Sequence, residues 1–345
     1  MELTFRWFGQ DDPVPLEHIR QIPGVRGVVS ALYDIPTGEP WPHDEVAKLA
    51  ETIDSAGLRL TVVESIPVHE DIKLGLRSRD ELIDNYCESV RAIAAVGVSV
   101  LCYNFMPVFD WVRTDLATRL SDGSTALSYD DGMLSQFDLS QGTGLLPGWA
   151  TAYDAKTLGA LLAAYSKISD EQLWDSLAWF LERVVPVAQS EGVRMAIHPD
   201  DPPWPIFGIP RIITGAAAFE RLIHLVSSRA NGITFCTGSL AANPNNDIVG
   251  MARKFANMGR IHFAHCRNIK RTGERKFVEV PHPTEYGDVD MRAVLWALYD
   301  AGFSGPIRSD HGRMIWGEHG RPGYGLHDRA LGAAYLNGLW EGLRG

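Results

Sequence analysis

What this 345-residue chain has little of narrows its class first. It holds only four cysteines, Cys87, Cys102, Cys236 and Cys266, widely spaced and without a CxxC pair. That excludes the dense disulfide framework of small secreted domains and points to reduced thiols. No stretch approaches about 18 uninterrupted apolar residues, and the opening MELTFRWFGQDD has no basic region followed by an apolar run. Neither a membrane span nor a secretory leader is expected, so cytoplasm is the expected compartment. Basic residues are in deficit: 32 Lys and Arg against 43 Asp and Glu leave a formal net charge of −11. Nucleic acid and anionic membrane both demand a basic face and are excluded as main partners. A small anionic substrate stays open if basic residues gather locally. Low-complexity tracts and interdomain linkers are absent too.

What is present is ordinary for a globular chain, with 45% hydrophobic and 22% charged residues. The length exceeds the commonest domain size, yet α/β barrels use about 250 residues or more as one domain, so one domain over residues 1–345 is expected. Short β-branched runs alternate with longer amphipathic segments, the pattern of strands joined by helical crossovers. Eight runs qualify: Thr4 to Trp7, Gly27 to Ser30, Leu58 to Glu64, Val98 to Asn104, Arg194 to His198, Gly232 to Cys236, Arg260 to His265 and Pro306 to Asp310. Five share a preamble in which a helix runs into glycine: SAGLRLTVV, AVGVSVLCY, SEGVRMAIH, NMGRIHFAH and AGFSGPIRSD. Glycine closes a helix in the left-handed conformation, so each reads as helix, cap, strand. The fold class is a (β/α)8 TIM barrel.

Residues 105–169 break the rhythm, with scattered aromatics, Gly142-Thr143-Gly144 and Pro147. So long a connection is usually functional. It reads as an insertion after the fourth strand, either over the barrel mouth or as a subunit contact; exposed tryptophans in it would favour a homo-oligomer.

Metal-capable side chains fall at the C-terminal ends of four successive strands: His198, Cys236, His265 and Asp310. Barrel enzymes place their chemistry on that face. Neighbouring strand ends lie about 5 Å apart, so four consecutive strands can converge on one ion. Any one of these residues alone would read as packing; their shared position at adjacent ends makes them a candidate metal site. Alternation separates two histidines: His265 shares the inward face with Phe263 and Ile261, while His262 and Cys266 face away. Arg308 points inward below Asp310, where an unpaired charge would cost several kcal/mol. Its expected partner is Glu64. Cys87 and Cys102 read as core. Asp200 and Asp201 read either as holding the His198 imidazole or as a solvated, proline-fixed turn.

The chain closely resembles the D-mannonate dehydratase family of the UxuA type. The resemblance rests on FRWFG at Phe5, GVVSALYDIPTGEPW at Gly27, HPDDPP at His198, FCTGS at Phe235, RIHFAHCRN at Arg260, SDHGRMIWGE at Ser309 and RPGYGLHDRA at Arg321. It implies a xylose-isomerase-like barrel and a Mn(II) or Fe(II) ion on His198, Cys236, His265 and Asp310. It also implies His311 and Tyr324 as acid and base, and dehydration of D-mannonate to 2-keto-3-deoxy-D-gluconate in hexuronate catabolism. Tyrosine would need a nearby cation to act as a base, and Arg308, Arg313 or Arg321 could supply it. Tyr324 could also be merely a turn residue in RPGYG. The rivals are a sugar isomerase on a related barrel, a non-catalytic metal-dependent binding barrel, and activity on a stereoisomeric hexonate.

Overall fold

The structure is a computed structural model that describes residues 1–137, 148–150 and 153–344, the side chains of 148–150 excepted. Gly142, Thr143, Gly144 and Pro147 lie outside the described residues. Eight parallel strands close into a barrel in chain order: β1 (Glu2–Arg6), β2 (Val25–Ser30), β3 (Arg59–Glu64), β4 (Val100–Tyr103), β5 (Arg194–Ile197), β6 (Asn231–Cys236), β7 (Ile261–His265) and β8 (Pro306–Arg308). These are the eight runs expected from the sequence, with ends that coincide or shift by at most two residues. The helix-ending glycines adopt positive φ, 73° at Gly57 and 64° at Gly259, where a Cβ would strain the turn into the next strand.

Alternation divides the apolar side chains between two cores. Val29, Val62, Val100, Cys102, Ala196 and Phe263 fill the barrel axis beneath the mouth, and a larger cluster packs between strands and helices. This plug keeps water from the underside of whatever sits above it. His262 faces the outer layer, its Nδ1 2.9 Å from the Met195 carbonyl. It fits because residue 232 is glycine: a Cβ there would lie 2.4 Å from the His262 ring. Cys266 also turns outward, into the larger core.

One boundary departs from expectation in a way that shapes the mouth. The last strand stops at Arg308, and Asp310 follows with φ of 63°, a left-handed conformation that few non-glycine residues adopt. Strand alternation therefore does not carry the Asp310 carboxylate inward; a turn does.

Residues 105–169 contain the strands Phe109–Val112, Asp115–Arg119 and Thr125–Asp130 and the helix Ala155–Tyr165. Thr125–Asp130 pairs antiparallel with Lys276–Val280, one arm of a hairpin with Asn268–Gly273 that follows β7. The four-stranded sheet thus ties the connection after β4 to the one after β7. The next barrel helix, Asp170–Ser190, starts on a capping box in which Ser169 and Gln172 satisfy each other's backbone N–H. Among the described residues no helix is long and apolar enough to cross a membrane.

Candidate active site

The C-terminal ends of the strands open into a cavity of about 320 Å³ whose lining includes Arg6, Glu64, Cys102, His198, Arg308, Asp310, His311 and Tyr324. Four adjacent strands deliver the acceptors. His198 directly follows β5, Cys236 ends β6, His265 ends β7, and Asp310 lies two residues past β8. One ligand atom from each of His198, Cys236 and His265 lies within 4.8 Å of the others. A single ion with bonds of about 2.0–2.3 Å spans that spread. Asp310 completes the group, one carboxylate oxygen 3.7 Å from the Cys236 sulfur and the other 3.8 Å from His265 Nδ1.

The charges of these groups are coupled. Burial alone would raise the Cys236 thiol, but Arg267 and His198 hold it well below its usual range. Burial also opposes charge on His198, yet the neighbouring Cys236 raises it to about 9. Both nitrogens of the fully buried His265 ring lack a hydrogen-bond partner. A buried imidazole left this way costs free energy unless something outside the chain satisfies it, and a divalent cation with open positions fits the donor set.

Asp200 and Asp201 hold no imidazole, and neither is solvated. His198 Nδ1 instead lies 2.7 Å from the Pro199 carbonyl, which accepts its N–H and leaves Nε2 as the nitrogen that could coordinate an ion. Asp200 accepts the Ile213 N–H. Asp201 is buried between two guanidiniums, bidentate to Arg113 at 2.9 Å and 2.8 Å from Arg267. Arg267 also donates to Ser239, which lies 3.1 Å from the Cys236 sulfur. Asp201 therefore reaches the thiolate through Arg267 and Ser239.

Glu64 meets Arg308 at 3.1 Å and Arg6 at 3.2 Å, and its Oε2 lies 3.5 Å from His265 Nε2. Arg308 also reaches Asp310 at 2.8 Å. Nε of Arg6 and Nε and Nη1 of Arg308 remain buried without a partner, while Arg6 Nη1 is the nitrogen paired with Glu64. Arg313, by contrast, does not line the cavity. Asp328 and Asp122 hold its guanidinium at 2.8 and 2.6 Å on the outer side of the last loop. Arg321 stacks on Phe8 instead.

His311 Nε2 lies 2.9 Å from the Tyr324 hydroxyl. Its Nδ1 lies 3.0 and 3.1 Å from the two oxygens of Glu279, a residue of the outer sheet. Burial pushes the Tyr324 phenol up, and Arg308 and Arg6 pull it only part-way back. The phenol therefore favours its protonated form. Trp111 packs its ring 5.0 Å from that of His311, so this half-buried tryptophan of residues 105–169 lines the cavity.

Sequence reasoning missed Arg6, Arg113, Arg267 and Glu279. A signal existed for the last: NIKRTGERKFVEV alternates about a glycine turn, and Glu279 shares a face with the apolar Phe277, so a carboxylate had to be buried.

The chain matches the D-mannonate dehydratase (UxuA) family over residues 1–345. It belongs to that family. It is 56% identical over 341 residues to mannonate dehydratase 2 of Halalkalibacterium halodurans, covering 99% of both chains. The crystal structure of mannonate dehydratase from Streptococcus suis serotype 2 superposes with a TM-score of 0.93 at 48% identity, covering 99% of this chain and 94% of that one. A xylose isomerase domain protein from Planctomyces limnophilus, at 16% identity and a TM-score of 0.54 over 99% of this chain and 97% of that one, shares the barrel alone. Full-length similarity to the dehydratases, against fold-level similarity to this protein, sets the sugar-isomerase reading aside.

Proposed function

We propose that this member of the D-mannonate dehydratase family removes water from D-mannonate to give 2-keto-3-deoxy-D-gluconate, a step of hexuronate catabolism. The observation that carries the reading is one cavity joining an acceptor cluster with an orphaned imidazole to a bonded His311 and Tyr324 pair. The reaction takes a proton from carbon 2 and expels the carbon 3 hydroxyl as water, and the resulting enol becomes the 2-ketone with a proton gained at carbon 3.

His198, Cys236, His265 and Asp310 would hold Mn(II) or Fe(II). When bound, the metal supplies Lewis acidity toward the substrate's carboxylate and hydroxyl oxygens and fixes their orientation. Arg6 and Arg308, although ion-paired to Glu64 and Asp310, keep Arg6 Nε and Arg308 Nε and Nη1 as buried donors suited to an anionic sugar acid. The His311 and Tyr324 pair handles protons, and because elimination takes one from carbon and delivers one to the leaving hydroxyl, the pair ends each turnover as it began. General acid or base action of this kind contributes roughly 10²- to 10⁴-fold. Asp110 and Trp111 bring residues 105–169 to the cavity wall, which supports a role over the barrel mouth. The four cysteines are unpaired, which supports a reducing, cytoplasmic setting.

The deciding experiment incubates metal-stripped and metal-restored protein with D-mannonate, stereoisomeric hexonates and aldoses, and follows 2-keto-3-deoxy acid. Metal-dependent product from D-mannonate is expected. Isomerised aldose, or bound hexonate without turnover, would defeat the reading.

A further inference from the structure

The outer sheet contributes one side chain that no reading of the metal site or of the proton pair uses. Glu279 sits in the strand Lys276–Val280, outside the barrel, yet its buried carboxylate reaches the ring nitrogen of His311 that faces away from Tyr324. It is held there by Arg113 at 2.8 Å and by Arg267.

Resting on the dehydratase reading, we infer that Glu279 is the positioning residue for proton transfer: it fixes the ring orientation and tautomer of His311 so that Nε2 can accept from Tyr324. The argument is one of donors and acceptors. Arg267 and Arg113 hold Glu279 well below its usual range against the effect of burial, so it is an ionised, acceptor-only group. A bare Nδ1 would turn a lone pair toward two carboxylate oxygens, so in the neutral ring Nδ1 carries the hydrogen and Nε2 the lone pair. The Tyr324 hydroxyl then donates to Nε2 across 2.9 Å. Arg267 Nη1 lies 3.2 Å from the same Nδ1 because both converge on Glu279 Oε1, which already accepts from Nη1. The arrangement also explains why the outer sheet is tied to the barrel mouth. Its Lys276–Val280 strand is paired on both sides, so the carboxylate that orients His311 is held by a rigid element and not by a loop.

Glu279→Gln tests this. A glutamine amide can donate to Nδ1, which favours the opposite tautomer and turns an N–H toward Tyr324. We expect kcat on D-mannonate to fall by about 10²-fold with KM and metal content within about threefold of wild type. Glu279→Asp, which keeps the charge, should recover part of the loss. In a His311→Asn background, Glu279→Gln should cost less than about threefold more, because a residue acting through His311 has nothing left to position. Ring ¹⁵N spectra of histidine-labelled protein read the tautomer directly: a protonated Nδ1 on His311 in the wild type, and a protonated Nε2 in Glu279→Gln. A kcat within threefold of wild type, an equal loss in both backgrounds, or an unchanged tautomer overturns the inference. If Glu279→Gln does not fold, Glu279→Asp enters the same cycle under the same criterion, with a smaller loss expected. Failure of the wild type to dehydrate D-mannonate, or full turnover by His311→Asn, would instead defeat the underlying reading, whatever Glu279 does.

Discussion

The two halves of the barrel mouth are built from opposite chemistry. The ends of β5 to β8 present acceptors, His198, Cys236, His265 and Asp310, among which the His265 ring has no hydrogen bond. The ends of β1 and β3 present Arg6 and Glu64, and Arg308 reaches toward them from β8, so that side carries guanidinium donors left over after Glu64 and Asp310 are paired. An excess of acceptors suits a cation and an excess of buried donors suits an anion. Metal and sugar acid can then bind side by side in one cavity without either half being rebuilt.

The largest effect that would test this division comes from the acceptor half. Chelation should abolish turnover, and Mn(II) or Fe(II) should restore it. Cys236→Ser should weaken metal affinity by more than the roughly 10- to 100-fold expected for loss of an outer partner, whereas Cys266→Ser should leave it unchanged. Equal losses from both, read by elemental analysis and metal titration, would mean the inward and outward faces of the two strands are misassigned.

Next comes the proton pair between the halves. Tyr324→Phe should retain the fold, the metal and substrate affinity while lowering kcat by about 10²-fold or more, and a kcat within a few-fold of wild type would reduce Tyr324 to a turn residue. A smaller change belongs to the donor half. Arg6→Gln should raise KM for the hexonate about tenfold, the scale of one hydrogen bond to a charged group, with metal content intact. Loss of metal instead would show that the halves are not separable.

The smallest effect on turnover lies behind the site, at His262. Burial lowers this imidazole to about 4, below its unfolded value of 6.5, so the native state favours the neutral ring. Its contribution is therefore complete above about pH 6.5, falls as the pH drops toward 4, and changes no further below that, for a total of about 3 kcal/mol at most. Denaturant melts of wild type and His262→Gln between pH 4 and 7 should show a shallower pH dependence in the variant, with kcat at neutral pH little changed. A pH dependence as steep in the variant would show that His262 is not the group lost.

The expectations about the fold that held rest on a periodicity. Eight β-branched runs with glycine before five of them locate strands because a helix must end before a strand begins, and period-two alternation sends His265 to the axis and His262 to the helices. Alternation also brought Arg308 inward, where Glu64 meets it. The errors share a cause as well. Arg313, near in sequence to Asp310, was grouped with the site, but the chain has already turned and Asp328 and Asp122 claim it. Asp200 and Asp201 follow His198 directly, yet a backbone carbonyl holds the imidazole and Asp201 belongs to Arg113 and Arg267.

What the sequence determined by itself is therefore the barrel, the order of its strands and the side chains standing at their ends, because local propensity and alternation act over a few residues. Which groups face those side chains across the cavity was decided only by the tertiary structure. Glu279 reaches His311 from a sheet joining residues 115–130 to residues 268–280, and Arg113 meets Asp201 across 88 positions of chain. Such pairings follow from how strands are brought together in space, and alternation along one strand says which way a residue points but not what waits on the other side.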